Sequence, residues 1–279
     1  MMAKPAGLVV LYNPENDVLD NIRTYIDGLD VLYVVDNSDK TNLFVDDELK
    51  KNPKVVCLSC VGNLGIAKAL NIGAQKAIEQ GYQYLFTVDQ DSRAQDGMIS
   101  SILECFNEAD MVGIASPYHA IIGRNSPRPV NKIESVSYVM TSGNILNLDS
   151  YKHAGPFLDE LFIDSVDHEY CLRLRSKGYS ILRVNDALLA HSLGKVERKL
   201  GLSVISHNPL RNYYITRNSL HVAKIYRHEY PDFFRFAVWS LFKNLLKVVL
   251  FESCKIEKLR MIVRGYRDYR KGILGKYNG

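Results

Sequence analysis

The chain has 279 residues, 47% of them hydrophobic, which is enough apolar material for a full core and excludes a disordered chain. Five cysteines, an odd number in so long a chain, exclude a disulfide-stapled scaffold and fit a reducing compartment. The net charge of +4 is uneven: from Arg211 onward 15 Lys and Arg face 5 Asp and Glu, a net of +10, whereas residues 1–210 carry −6.

The first apolar run, residues 8–12, is short and leads into Asn13-Pro14. It lacks the features of a secretory leader, so a cytoplasmic location is expected. From here short apolar runs alternate with helical spacing: a strand over 7–12, a helix over 18–29, and a strand over 31–35 that ends at Asp36-Asn37-Ser38. A strand over 55–59 follows. It holds Cys57-Leu58-Ser59-Cys60, a C-x-x-C with no second pair, read as structural thiols. Then come a helix over 64–80, a strand over 84–88, a helix over 97–107 and a strand over 111–115. This grammar predicts an α/β fold with a mainly parallel sheet flanked by helices. Ligands of such sheets bind beyond the carboxyl ends of the strands, where Asn13, Asp36, Asn63 and Asp89 all fall.

Residues 116–134, with three prolines, predict a long loop over that edge, a candidate lid. A strand over 135–140, a turn at Thr141-Ser142-Gly143-Asn144 and an apolar run over 145–148 come next. A helix over 164–177 ends at Gly178. A boundary near 205 divides a domain over 1–205 from a basic helical extension over 206–279. Within the extension, 233–251 is strongly apolar but interrupted by Arg235, Lys243 and Lys247. Each such residue costs about 2.5–3.5 kcal/mol at a bilayer centre, so the helix is expected to lie in a membrane interface or to pack on the domain or a second subunit.

Four constellations carry chemistry. In Tyr84-Leu85-Phe86-Thr87-Val88-Asp89-Gln90-Asp91 a strand ends in two carboxylates one residue apart, a pattern that suits Mg²⁺ or Mn²⁺ bridging to a diphosphate. Asp36 can accept a hydrogen bond from a pyrimidine or simply form a turn. Gly62-Asn63-Leu64-Gly65 leads into a small-residue helix, which either admits a nucleotide backbone with Lys68 on its phosphate or packs tightly on the sheet. In Asp164-Ser165-Val166-Asp167-His168-Glu169 the acids either complement a helix N-terminus or supply the base that deprotonates an acceptor hydroxyl. Asp164 and Asp167 share a helix face, and geometry does not choose between them.

Taken in series, residues 9–14, 35–38, Asn63 to Ala67 with Asn71 and Gly73, 89–91, 141–144 and 166–173 with Gly178 resemble glycosyltransferase family 2, the inverting GT-A transferases, and within it the bacterial rhamnosyltransferases. The resemblance implies a GT-A nucleotide-sugar domain over 1–205. It places Tyr12, Asn13, Asp36, Asn63, Gly65, Lys68, Asp89 and Gln90 on the nucleotide, and Asp89 and Asp91 with His191 on the metal. Ser142, Gly143 and Asn144 would meet the donor sugar, and Arg211 and Arg217 the acceptor. Asp167 is the implied base. Val166 replaces the Glu of the family's acidic pair, so Asp164 stays open as the alternative.

The blocks at 12–14, 88–91 and 207–214 with Arg217-Asn218 are most similar to rhamnosyltransferases. They imply dTDP-L-rhamnose as donor, a polyprenyl-diphosphate-linked glycan of a surface polysaccharide as acceptor, and peripheral attachment to the cytoplasmic face of the inner membrane. A UDP-sugar transferase, such as a galactofuranosyltransferase, is the nearest alternative. A nucleotidyltransferase should carry a basic Gly-rich loop after the first strand, which Leu11 to Asn16 does not supply. A nucleic-acid-binding module would need aromatic and basic residues on a strand face, whereas the basic part here reads as helices. No nucleic-acid partner is expected, and a homodimer through the extension is an open alternative to the membrane.

Overall fold

The computed structural model describes residues 4–59, 62–121, 129–191, 196–199, 202–205 and 207–279. Its first half alternates as expected: β1 (Ala6–Leu11), α1 (Val18–Arg23), β2 (Val31–Asp36), α2 (Leu43–Lys50), β3 (Val55–Ser59), α3 (Ile66–Glu79) and β4 (Tyr84–Asp89). The next stretch holds β5 (Ser92–Ala94), α4 (Met98–Glu108), β6 (Val112–Ile121), β7 (Ile133–Ser135), β8 (Asn144–Asn147), α5 (Leu148–Ala154), α6 (Val166–Ser176) and β9 (Ser180–His191). A hairpin of β10 (Val196–Lys199) and β11 (Leu202–Ile205) follows, then α7 (Pro209–Tyr226), α8 (Pro231–Phe251) and α9 (Lys255–Lys271).

The main sheet runs β3-β2-β1-β4-β8-β6-β9-β5, with β7 beside β9. From β3 to β4 all pairings are parallel, as are those of β6 with β9. Strand β8 is antiparallel to both β4 and β6, so the mainly parallel sheet carries a reversed strand in its middle. The reason is local. The turn before β8 is bonded to the end of β4, through Thr87 Oγ1 to the Thr141 carbonyl (2.7 Å) and Gly143 N–H to the Thr87 carbonyl (2.7 Å). A chain that starts at that end can only run back along β4.

Strands β1 and β2 are buried on both faces, which is why they read as unbroken apolar runs. One core layer packs α1, α2 and α4 on the sheet through Val18, Ile22, Val45, Leu49 and Ile102. The other packs α3, α5 and α6 through Ala69, Leu70, Ala74, Tyr151 and Tyr170. Helix α3 lies so close to β1 that a Cβ on Gly73 would stand 2.4 Å from the Leu8 methyls. Its glycine and alanines therefore serve packing.

Several elements differ from the expectation. Helix α1 stops at Arg23, where the Thr24 hydroxyl bonds back to the Asn21 carbonyl (2.7 Å), and a 3₁₀ turn (Ile26–Gly28) completes the segment. Strand β6 extends through Ile121 by pairing with β9 and tolerates Pro117 at a register shift. The expected lid is thus shorter, and its residues 122–128 lie outside the described part. Residues 136–140 are not a strand, although Val136 N–H still bonds the Ile181 carbonyl (2.9 Å). No helix of the described residues is long and apolar enough to cross a membrane.

Candidate active site

The carboxyl ends of β1 to β4 form a shelf held by side-chain-to-backbone bonds. Gln90 grips the end of β1, accepting from Tyr12 N–H (2.8 Å) and donating to the Tyr12 carbonyl (3.2 Å). Asn13, at φ 45°, donates its N–H to Ser38 Oγ (2.7 Å). Asn37, which is buried, joins three segments: its N–H donates to the Leu11 carbonyl (2.8 Å), its Oδ1 accepts from Leu64 N–H (2.7 Å), and its Nδ2 donates to Asn63 Oδ1 (3.2 Å). Asn63 Oδ1 also accepts from Gly65 N–H (3.0 Å). Tyr12, Asn13, Asp36, Asn63, Gly65, Asp89 and Gln90 are therefore brought to one edge. Asn37 and Ser38 were legible only as a turn following Asp36.

The Asp36 carboxylate forms that turn, accepting from Ser38 N–H (3.0 Å), and also lines a cavity of about 260 Å³ with Leu11, Pro14, Asn42, Asp46 and Cys57. The turn expected of Asp36 is present, and the same residue stands on a cavity wall. Helix α2, which sequence reasoning missed, forms one wall.

Asp89 is half-buried and Asp91 exposed. Asp89 N–H donates to Ser142 Oγ (3.0 Å), which also bonds Ser92 Oγ (2.8 Å), and the Ser142 carbonyl bonds His119 Nε2 (2.8 Å). This scaffold fixes the backbone that carries the two carboxylates. Cross-strand register sets His191 opposite Ser92, one residue from Asp91, but the His191 side chain lies outside the described part. Among the described residues no group of three or more His, Cys, Asp or Glu stands ready to hold a metal. Two carboxylates on a fixed strand end do fit a hard cation that takes its other oxygens from phosphate and water.

Four expectations are corrected. Ser142 and Gly143 do not face a sugar: Ser142 is 2% exposed with its hydroxyl spent under Asp89, and Gly143 braces β4. Asn144 is buried too, donating to the Met140 carbonyl (2.6 Å) and standing at the wall of a small, partly open cavity with Thr87, Thr141, Asp167 and Tyr170. Lys68 is not one of the four: its side chain is half-exposed, with Nζ 2.8 Å from Asp159 Oδ2. Arg217 is fully buried, its guanidinium taken by backbone carbonyls and by Tyr213 and Asn218, out of reach of any acceptor.

The three acids near α6 have different partners. Glu169 is buried in a two-pronged bond with Arg173 (2.9 and 2.8 Å) and accepts from Tyr226 (3.0 Å). Asp164 accepts from Arg211 (3.1 Å), an arginine 47% exposed at the rim. Burial raises the Asp164 carboxyl above its ordinary pKa, outweighing Arg211. Asp167 accepts from its neighbour's backbone N–H (2.8 Å) and lies 3.3 Å from His168 Nδ1. Burial raises its pKa, but the bond to His168 and that ring's charge outweigh this and leave it below the ordinary value. Burial likewise lowers His168, and Asp167 overrides it, so the ring titrates above its usual range. Asp167 is ionised at neutral pH and, unlike the other two, is tied to no arginine in these contacts.

The acid segment meets the shelf directly. Ile66 N–H donates to the Phe162 carbonyl (2.7 Å), and a Cβ on Gly65, at φ 85°, would stand 2.6 Å from that oxygen. Lys276, a cation the sequence did not single out, donates to the Asn63 carbonyl (3.0 Å) and lies 5.9 Å from the centre of the Phe162 ring.

An α/β sheet that carries Asp36 and a D-x-D strand end on one edge, with the acid segment at α6 fastened to it, has the arrangement of a nucleotide-sugar transferase. The chain belongs to Glycosyl transferase family 2, whose family profile matches residues 8–159. It is 30% identical to the dTDP-rhamnosyl transferase RfbF of Shigella flexneri, over 98% of each chain. S. aureus TarS in complex with UDP-GlcNAc shares the fold at a TM-score of 0.66 and 14% identity, over 97% of this chain and 82% of that one. GalNAc-T7 with UDP, GalNAc and Mn²⁺ does so at 0.63 and 14%, over 96% of this chain and 56% of that one. At these identities the two structures speak to the fold, which is GT-A.

Proposed function

We propose that the protein transfers L-rhamnose from dTDP-L-rhamnose to a polyprenyl-diphosphate-linked glycan, with inversion at the anomeric carbon. The observation that carries the donor assignment is the alignment with a dTDP-rhamnosyl transferase along essentially the whole of both chains, extension included. In this reading Asp36 meets the pyrimidine in the cavity beside α2. Asp89 and Asp91 would hold Mg²⁺ or Mn²⁺, which when bound would offset negative charge on the departing diphosphate. Lys276, beside the Asn63 loop, adds a cation to that edge. Asp167 takes the acceptor hydroxyl's proton as that oxygen attacks. Asp167 is unprotonated at neutral pH, the state in which a carboxylate can accept that proton.

The acceptor assignment is supported by chemistry at the rim and on the extension. Arg211 is half-exposed beside Asp164 and suits a diphosphate. Helix α8 turns Phe234, Trp239, Phe242, Leu245 and Leu250 to solvent, a face suited to peripheral attachment at an anionic membrane. We read 1–205 as the catalytic unit and 206–279 as its membrane-facing extension.

The test is transfer from dTDP-rhamnose and from UDP-galactose, UDP-galactofuranose and UDP-GlcNAc, using the parent, Asp167→Asn and Asp164→Asn. Transfer from dTDP-rhamnose alone, lost by at least a thousandfold in Asp167→Asn with dTDP binding kept, is the expected result. Transfer from a UDP-sugar would replace the donor. An active Asp167→Asn beside an inactive Asp164→Asn would move the base to Asp164.

A further inference from the structure

The segment that leads into α6 is held in an unfavourable backbone shape. Phe162, Asp164 and Ser165 have φ of 64°, 62° and 64°, in the left-handed region, and none of them is glycine. Residues this disfavoured persist only where their surroundings over-determine them, and such places tend to be functional. Here the surroundings come from α7. The Asn218 amide donates to the carbonyls of Leu161 (2.7 Å), Ile163 (2.7 Å) and Asp164 (3.1 Å). Arg217 Nε donates to Asn218 Oδ1 (2.8 Å), which fixes which way that amide faces. The guanidinium also reaches the carbonyls of Glu160 and Leu161 (3.4 Å each) and of Gly275 (2.7 Å), and it lies 5.1 and 5.0 Å from the ring centres of Tyr213 and Tyr214. Gly275 N–H in turn donates to the Glu160 carbonyl (2.7 Å). Both side chains are 0% exposed.

We propose that Arg217 and Asn218 are positioning residues for sugar transfer: they clamp the strained segment 161–165 and thereby set where Asp167 stands relative to the donor shelf. The clamp reaches the acid by a short route. Ser165 is the N-cap of α6, Asp167 is the second residue of that helix, and Phe162 is bonded at once to the shelf through Ile66. A full positive charge is buried here without a carboxylate among the guanidinium's bonded partners. Burial of that kind needs every donor directed: the guanidinium's go to Gly275, to the carbonyls at the start of the strained segment and to the Asn218 oxygen, and the Asn218 amide holds the segment itself. The inference rests on the reading of Asp167 as the base.

The experiment compares Asn218→Ala, Arg217→Lys, Asp167→Asn and the double variant Asn218→Ala/Asp167→Asn. It follows kcat, donor KM, dTDP affinity by titration calorimetry, and cooperative thermal unfolding. Displacing a reacting group by about an ångström costs on the order of a hundredfold, so kcat should fall about a hundredfold in the variants of Asn218 and Arg217. Affinity for dTDP, which binds on the shelf, should stay within twofold. Loss through Asp167 also means that the double variant is no slower than Asp167→Asn alone. Losses that multiply in the double variant, or a kcat within twofold of the parent, would overturn the clamp. So would a kcat loss matched by an equal loss of folded protein in both single variants; Arg217→Lys keeps charge and bulk and guards against simple unfolding in Asn218→Ala. Full activity in Asp167→Asn would sink the base assignment and the clamp with it. An inactive Asp167→Asn beside unaffected Asn218→Ala and Arg217→Lys would sink the clamp alone.

Discussion

Gly65 shows how one residue couples the donor shelf to the acid segment. Its φ of 85° is open to glycine, and an added Cβ would press on the Phe162 carbonyl at 2.6 Å. Conformational strain and overpacking together should make Gly65→Ala cost about 3 kcal/mol. Urea unfolding of the variant should show this as a lower midpoint at unchanged slope; a midpoint equal to the parent's would mean that the loop yields freely. At the strand end, Asp91→Asn removes one of two carboxylates while leaving the Ser142 scaffold under Asp89 intact. Thermal stabilisation by dTDP should then lose its dependence on added Mg²⁺ or Mn²⁺, and a metal response as large as the parent's would reject Asp91 as a ligand. Asp36, Asp89 and Asp91 were legible because each ends an apolar run whose strand identity is unambiguous. Arg217 was not. A charged residue in a basic stretch reads as surface, and nothing local announces that carbonyls of residues 160 and 161, more than fifty positions away, will surround it.

At the scale of elements, the strands were readable because sheets covered on both sides demand continuous apolar sequence, and α3 because its small residues recur on one face. Helix α2 escaped notice because Leu43 and Phe44 are exposed and Asp46, Asp47 and Glu48 break the stripe; its best signal was the cap, Asn42 accepting from Val45 N–H. The direction of β8 was hidden because it depends on where the preceding turn is fastened. The joint between α7 and the α8–α9 turn carries a pH dependence. Burial and the nearby cations Arg211, Lys247 and Lys258 lower the His207 pKa from 6.5 to about 4, against the opposing charge of Glu252. A histidine with a depressed folded pKa is held neutral, so its contribution is complete above pH 6.5 and is lost as pH falls toward 4. His207→Asn should therefore lose less melting temperature than the parent between pH 7 and pH 4.5. Parallel curves would show that the ring takes no part in acid unfolding.

Across the whole molecule, α8 is built inside out for a surface helix. Phe233, Ala237 and Val248 face the protein, while Phe234, Val238, Trp239, Phe242, Leu246 and Val249 face solvent. Anionic lipid is the expected partner, since α9 adds exposed Arg260, Arg264 and Arg267 around Ile256 and Val263. Trp239 is the single tryptophan, so its emission reports this face alone. Vesicles rich in phosphatidylglycerol should shift that emission to the blue, with weaker binding at high salt and for Trp239→Ser/Phe242→Ser by flotation. A blue shift that depends on protein concentration and ignores vesicles would point to a second copy instead. The bond from Lys276 to the Asn63 carbonyl has a different consequence. It joins residues 213 apart, and beside it the Arg217 clamp closes on Gly275. Contacts of such separation form late, and on the ribosome they have no partner until residues 275 and 276 have left the exit tunnel. A nascent chain that already possesses β1 to β4 thus carries this edge without its Lys276 bond. Activity during synthesis should appear as a late step, not as a ramp that follows the growth of the sheet.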